Sequence, residues 1–212
     1  MILKKEFKNR AWTSFVLLFL LFLTVKSNLF LVFTLIILGV LSIIEFINLI
    51  NKILKNYPAK LITNFFFIIY IFTFTFLFFL LSNFKQLEII LFSLIIACVA
   101  SDIGGFIFGN YFKGPKLTKI SPKKTYAGMI GGYLLSIIFA KIYFDYLGYN
   151  MEFLFTPQFV IIVILISSVS QLGDIVISYF KRLSKVKDTG NIIPGHGGLL
   201  DRIDGMIFAF PF

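Results

Sequence analysis

The sequence predicts an all-α, polytopic helical membrane protein, with about six transmembrane helices and a short C-terminal helix. Three observations predict it. Of the 212 residues, 58% are hydrophobic and 18% aromatic, more apolar surface than a water-soluble domain of this size needs. Apolar runs of about 20 residues recur along the chain, long enough to cross a hydrocarbon core of about 30 Å. Basic residues gather between those runs and alternate in their distribution, as they do when loops fall on opposite sides of a bilayer. The runs are continuous rather than alternating in polarity, which argues against a transmembrane barrel. Residues 1–212 read as one integral membrane domain.

The first expected span is Ala11–Val25, preceded by Lys4, Lys5, Lys8 and Arg10. A basic stretch before an apolar one resembles a signal peptide. Lys26, Ser27 and Asn28 follow in place of a small-residue cleavage site, so a retained anchor is expected. The span is short, which predicts little tilt or a locally thinned bilayer. The others are Asn28–Ile50, Leu61–Leu81, Ile89–Phe112, Tyr126–Phe144 and Phe159–Phe180. A last apolar stub, Ile203–Phe212, is too short to span. With this register, 17 of the 20 basic residues fall on one side and only Lys26, Lys85 and Lys141 on the other. That bias places the N-terminus in the cytoplasm. It also accounts for the net charge of +10 through topology and an anionic membrane surface, so no nucleic-acid partner is expected. The one cysteine, Cys98, lies in an apolar run; a disulfide framework and a cysteine-based zinc site are excluded.

Two segments on the basic side interrupt the apolar pattern. Lys113–Thr125 is rich in Lys, Pro and Ser; Lys181–Asp204 holds the only histidine, four glycines and three aspartates. Polar, glycine-bearing loops at a membrane face are where function concentrates. Asp102 and Asp174 lie inside apolar spans near this face. A carboxylate there costs about 2.5–3.5 kcal/mol on insertion scales, so it needs a cation, a donor or water; a structural pair with a lysine or arginine is the simpler alternative. Asp201 and Asp204 are three apart, so on a helix their Cβ atoms lie roughly 5–6 Å from each other. Two carboxylates that close repel unless a cation sits between them, and Mg²⁺ suits an all-oxygen site completed by water and phosphate. Gly195, His196, Gly197 and Gly198 form a loop leading into that helix. Such a loop can cradle phosphate with its amides or be a plain turn. Lys123, Lys124, Lys181, Arg182, Lys187 and Arg202 are candidate phosphate ligands, with lipid-headgroup contact as the competing role.

The stretch Ser178-Tyr179-Phe180-Lys181-Arg182, then Lys187-Asp188-Thr189-Gly190-Asn191, then Ile193-Pro194-Gly195-His196-Gly197-Gly198 and Leu200-Asp201-Arg202-Ile203-Asp204 closely resembles the signature of the phosphatidate cytidylyltransferase family. The signature region is residues 171–206. Ser121-Pro122-Lys123-Lys124-Thr125 with Gly128, Gly131 and Gly132 is similar to a second block, and Asp102 with Gly105, Phe108 and Gly109 to a weaker third. The resemblance covers the second half of the chain; the first half matches only as generic membrane helices. The pattern often has a glutamate before Gly128 and before the signature serine, where this chain has Ala127 and Ile177.

The resemblance implies transfer of the cytidylyl group of CTP to phosphatidate, giving CDP-diacylglycerol and pyrophosphate, at the cytoplasmic face of a bacterial inner membrane. It implies Mg²⁺ held by Asp174, Asp201 and Asp204, with Asp102 as a further candidate ligand and a second cation as an option. Lys181, Arg182, His196 and Arg202 are the expected catalytic residues. Ser121, Lys123, Lys124, Thr125, Lys187, Asp188, Gly195, Gly197 and Gly198 are the expected substrate-binding residues, with Asp188 orienting the lysine-rich loop. CTP, phosphatidate and membrane lipids are the expected partners, and family members can be homodimers. Activity is expected despite Ala127 and Ile177, with weaker metal affinity. A different lipid nucleotidyl or phosphoryl transferase is the alternative. A transporter is a weaker one, since it would spread acids along a path across the bilayer.

Overall fold

The computed structural model describes Phe19, Leu23, Thr24 and residues 27–149, 156–193 and 197–211. Among these residues there are six named helices: α1 (Asn28–Ile53), α2 (Tyr57–Asn83), α3 (Lys85–Phe112), α4 (Tyr126–Tyr146), α5 (Pro157–Leu183) and α6 (Leu200–Ala209). The first five are long and apolar enough to cross a membrane, so the chain is a multi-pass helical membrane protein. The expected span Ala11–Val25 falls outside the described residues apart from Phe19, Leu23 and Thr24, which are helical.

All five long helices outrun their expected apolar runs at one or both ends; α1, for example, gains three residues at its C-terminus. The backbone continues into the interfacial layer because helix hydrogen bonds do not require apolar side chains. α5 keeps going past Phe180 through Lys181 and Arg182. Its end is closed by Ser184, whose hydroxyl lies 2.9 Å from the Phe180 carbonyl and whose N–H donates to the same oxygen at 3.0 Å. Pro58 and Pro157 sit in the first turns of α2 and α5, where the missing N–H has no intrahelical acceptor in any case. α6 starts at Leu200, three residues before the apolar stub.

The chain divides into two compact units. The first combines Met1–Asn83 with Phe180–Ile203. Its described core is the antiparallel pair α1–α2. One stripe of α1 is buried, running through Leu35, Gly39, Ser42, Glu45, Phe46, Leu49 and Ile50, the spacing of a single helical face. Phe46 stacks on Phe67 with ring centroids 3.7 Å apart, and Phe180 meets Phe46 edge-on at 5.4 Å.

The second unit combines Phe84–Tyr179 with Asp204–Phe212. Its main contact is an antiparallel seam between α3 and α4. Small residues let the two backbones approach: a Cβ at Gly104 would land on the Gly131 carbonyl, and one at Gly128 would come within 2.8 Å of the Gly105 carbonyl. Lipid tails are as apolar as leucine, so membrane helices associate through such close packing and through interhelical hydrogen bonds. The bonds are present: Ser136 donates to the Ala97 carbonyl at 2.8 Å, and Ser101 and Ser167 share a hydroxyl contact of 2.7 Å between α3 and α5. The glycines of the second and third signature-like blocks therefore serve this seam.

Candidate active site

The loop after α5 folds back on itself through Asp201. Its Oδ1 accepts from Lys181 Nζ at 2.6 Å. Its Oδ2 accepts from the Thr189 N–H at 2.8 Å, the Thr189 hydroxyl at 3.1 Å and the Gly198 N–H at 3.3 Å. Lys181 and Asp201 are both largely buried, at 12% and 9% side-chain exposure, so the pair is shielded from solvent screening. A second carboxylate completes the arrangement, and it comes from α1. Glu45 accepts from the Leu199 N–H at 2.9 Å, the Leu200 N–H at 2.9 Å and the Thr189 hydroxyl at 2.6 Å. Glu45 is buried, with 2% exposure.

Glycines make room for these acids. A Cβ at Gly190 would come within 2.6 Å of Glu45 Oε1, and one at Gly198 within 2.6 Å of Glu45 Oε2. The close approach expected between the glycine-rich loop and a ligand is thus made, at Gly190 and Gly198, to a carboxylate of the chain itself. Gly197 has φ +86°, a conformation that favours glycine, and it pairs with Ile193 through N–H···O bonds of 3.0 and 3.2 Å. Its α-carbon faces Asp188: a Cβ there would lie 3.3 Å from the Asp188 Cβ.

In the second unit, Lys124 forms an ion pair of 2.5 Å with Asp174 Oδ2 and donates to the Gln171 carbonyl at 3.2 Å. Asp174 Oδ1 accepts from Ser178 at 3.3 Å. Asp102 is exposed and within electrostatic reach of Asp174 and Lys124. The segment before α4 is closed by Leu117 N–H donating to the Lys124 carbonyl at 2.8 Å and Lys124 N–H donating to the Ser121 carbonyl at 3.0 Å. Thr125, expected to bind substrate, is the N-cap of α4, its hydroxyl accepting the Gly128 N–H at 3.1 Å. Asp204 is buried, and its Oδ1 accepts the N–H of Gly205 at 2.9 Å.

The structure thus pairs Lys181 with Asp201 and Lys124 with Asp174. Lys123, Arg182, Lys187, Asp188 and Arg202 are exposed. Gly195 and His196 lie outside the described residues. Sequence reasoning did not single out Glu45, although an acid inside an apolar run carries the same insertion cost that drew attention to Asp102 and Asp174. It also left Thr189 without a role. Ile177, where the family pattern often has a glutamate, is buried at 1% exposure.

The candidate metal ligands offer only carboxylate oxygens, the donor type a hard cation prefers. Among the described residues no three His, Cys, Asp or Glu side chains are grouped to hold an ion. A cation here would therefore take fewer carboxylates and complete its shell with phosphate and water, as Mg²⁺ does.

Five helices long and apolar enough to cross a membrane define a multi-pass membrane protein, with the ion pair Lys181–Asp201 in one unit and Lys124–Asp174 in the other. The match to the Cytidylyltransferase family runs over residues 1–212, and the chain belongs to that family. It is similar to the phosphatidate cytidylyltransferase of Staphylococcus saprophyticus, 40% identical over 128 residues that make up 60% of this chain and 48% of that protein. The corresponding proteins of Staphylococcus haemolyticus and Staphylococcus aureus strain COL are 37% identical over 137 residues and 40% identical over 139. Each of those matches covers 64% of this chain and 51% of the relative. The chain spans about half the length of these curated relatives.

Proposed function

We propose that the chain catalyses cytidylyl transfer from CTP to phosphatidate, producing CDP-diacylglycerol and pyrophosphate for bacterial phospholipid synthesis. The observation that carries this reading is the family match across the whole chain, joined to relatives that bear that activity in their names. The charge bias supports a site at the cytoplasmic face of the inner membrane, where CTP arrives from water and phosphatidate from the leaflet.

In this reaction a phosphate oxygen of phosphatidate attacks the α-phosphorus of CTP. The new P–O bond forms as the bond to the β-phosphate oxygen breaks, and pyrophosphate carries away the electron pair. The attacking oxygen is already anionic at neutral pH, so no strong general base is needed. The barrier lies in bringing polyanions together, and catalysis rests on positioning and charge neutralisation. Phosphate oxygens compete with Asp174 for Lys124 and with Asp201 for Lys181. Arg182 and Arg202 supply fork donors, and His196 a hydrogen bond to the nucleotide. Asp174, Asp201 and Asp204, with Asp102 in reserve, are the candidates from which Mg²⁺ would draw one or two carboxylates; when bound, the ion would polarise the α-phosphate and ease pyrophosphate departure. The test is formation of labelled CDP-diacylglycerol by purified protein from CTP and phosphatidate, with and without Mg²⁺. Mg²⁺-dependent product is expected; none at any Mg²⁺ level would overturn the reading.

A further inference from the structure

We infer that Glu45 is a positioning residue for the proposed reaction: a built-in anion that occupies the N-terminus of α6 and ties together the described residues on either side of 194–196. The effect on turnover rests on the functional reading above; the tie itself rests on geometry alone.

The first four N–H groups of a helix have no intrahelical acceptor, and the dipole makes that end attractive to anions. A glycine-rich loop leading into such a helix is an obvious seat for a substrate phosphate. In this chain the seat is taken. Glu45 Oε1 and Oε2 receive Leu199 N–H and Leu200 N–H, each at 2.9 Å, and Asp201 receives the Gly198 N–H. Three consecutive amides at the start of α6 therefore point at carboxylates of the protein. These three amides are already engaged and not open to a substrate phosphate.

The same Glu45 carboxylate takes the Thr189 hydroxyl at 2.6 Å. Thr189 lies before the undescribed residues 194–196, Leu199 and Leu200 after them, and one side chain from α1 bonds both. Two features mark the contact as built. Gly190 and Gly198 stand where any Cβ would collide with the Glu45 carboxylate. The helix face that presents Glu45 is itself packed, with Ser42, Leu49 and Ile50 at 0%, 1% and 1% exposure, so the side chain enters from a fixed support. Through Thr189, which also donates to Asp201 Oδ2, Glu45 sets the placement of the carboxylate that holds Lys181. It acts on the reacting groups through those residues.

The test compares the full-length protein with Glu45→Gln and Glu45→Asp, by two readouts. Hydrogen exchange of peptides covering 197–201 reports the tie without reference to activity. Loss of charge-assisted bonds in Glu45→Gln should speed that exchange at least about tenfold, with peptides from α3 and α4 unchanged. Turnover per folded molecule should fall by about the same factor, with the CTP KM little changed. Glu45→Asp, which keeps the charge on a shorter arm, should recover part of both. A purely structural role would lower the folded fraction and leave kcat per folded molecule intact, and that outcome overturns the inference. Unchanged exchange in Glu45→Gln also overturns it. If Glu45→Gln does not fold, Thr189→Val removes only the bridging hydroxyl and should show the same changes more weakly; native exchange and turnover in that variant overturn it too. Should the unsubstituted protein make no CDP-diacylglycerol, the functional reading fails by itself, and the exchange measurement still decides the tie.

Discussion

Asp201 engages a lysine ammonium, two backbone amides and a hydroxyl with its two oxygens, so replacing it does more than remove a charge. In Asp201→Asn the new amide group must turn its NH₂ toward Lys181 or toward the Thr189 and Gly198 amides, and either choice sets donor against donor. Turnover should fall at least about tenfold, the effect of losing about 1.4 kcal/mol of transition-state stabilisation. A Mg²⁺ titration separates two roles: weakened metal binding is recovered by more Mg²⁺, whereas a misplaced loop is not. We expect a residual loss at saturating Mg²⁺, and full recovery would assign Asp201 to the metal alone. Arg182→Ala, on an exposed residue, should raise the CTP or phosphatidate KM without altering membrane orientation; unchanged kinetics would mark it as a lipid anchor. The candidate lysines and aspartates were legible in the sequence because charge inside an apolar chain is conspicuous. A lysine or arginine partner for Asp174 was among the readings, and Lys124 is that partner; which lysine it would be was not legible, since the two lie on different elements and spacing says nothing of contacts between elements. Glu45 escaped notice because it sits in the half of the chain that resembles the family only as generic helices.

The helices themselves were legible from apolar runs, and their ends were misplaced by up to four residues, because hydropathy marks the hydrocarbon layer and not the reach of the backbone ladder. Thr125 has a role that hydropathy does not mark: its hydroxyl caps α4, and Thr125→Ala should cost about 1 kcal/mol of stability. The α3–α4 seam gives a sharper prediction. Gly104→Ala places a methyl group on the Gly131 carbonyl, which is backbone and cannot rotate aside. It should destabilise the protein by about 1–3 kcal/mol as overpacking does. Gly105→Ala, one residue along, meets nothing nearer than the Gly128 carbonyl at 3.8 Å and should be tolerated. Thermal unfolding of both variants in detergent checks the pair; equal behaviour would refute the seam.

At the scale of the whole molecule, the basic bias predicts that single cysteines placed at Lys119 and Lys185 are unreactive to an impermeant thiol reagent applied outside intact cells. Clear labelling of either would reverse the orientation. The tie between Glu45 and α6 has a further consequence, in time. Glu45 enters the membrane with α1, but the amides it binds lie 154 and 155 residues further along the chain. A ribosome adding about 5–20 residues per second takes roughly 8–30 s to supply them. Over that interval the acid has none of these acceptor-satisfying amides, and α1 bears an insertion cost of about 2.5–3.5 kcal/mol. Nascent chains arrested before Leu199 should therefore hold α1 less securely in the bilayer than chains arrested after α6. Glu45→Leu should abolish the difference, so that the early helix no longer waits for the late one.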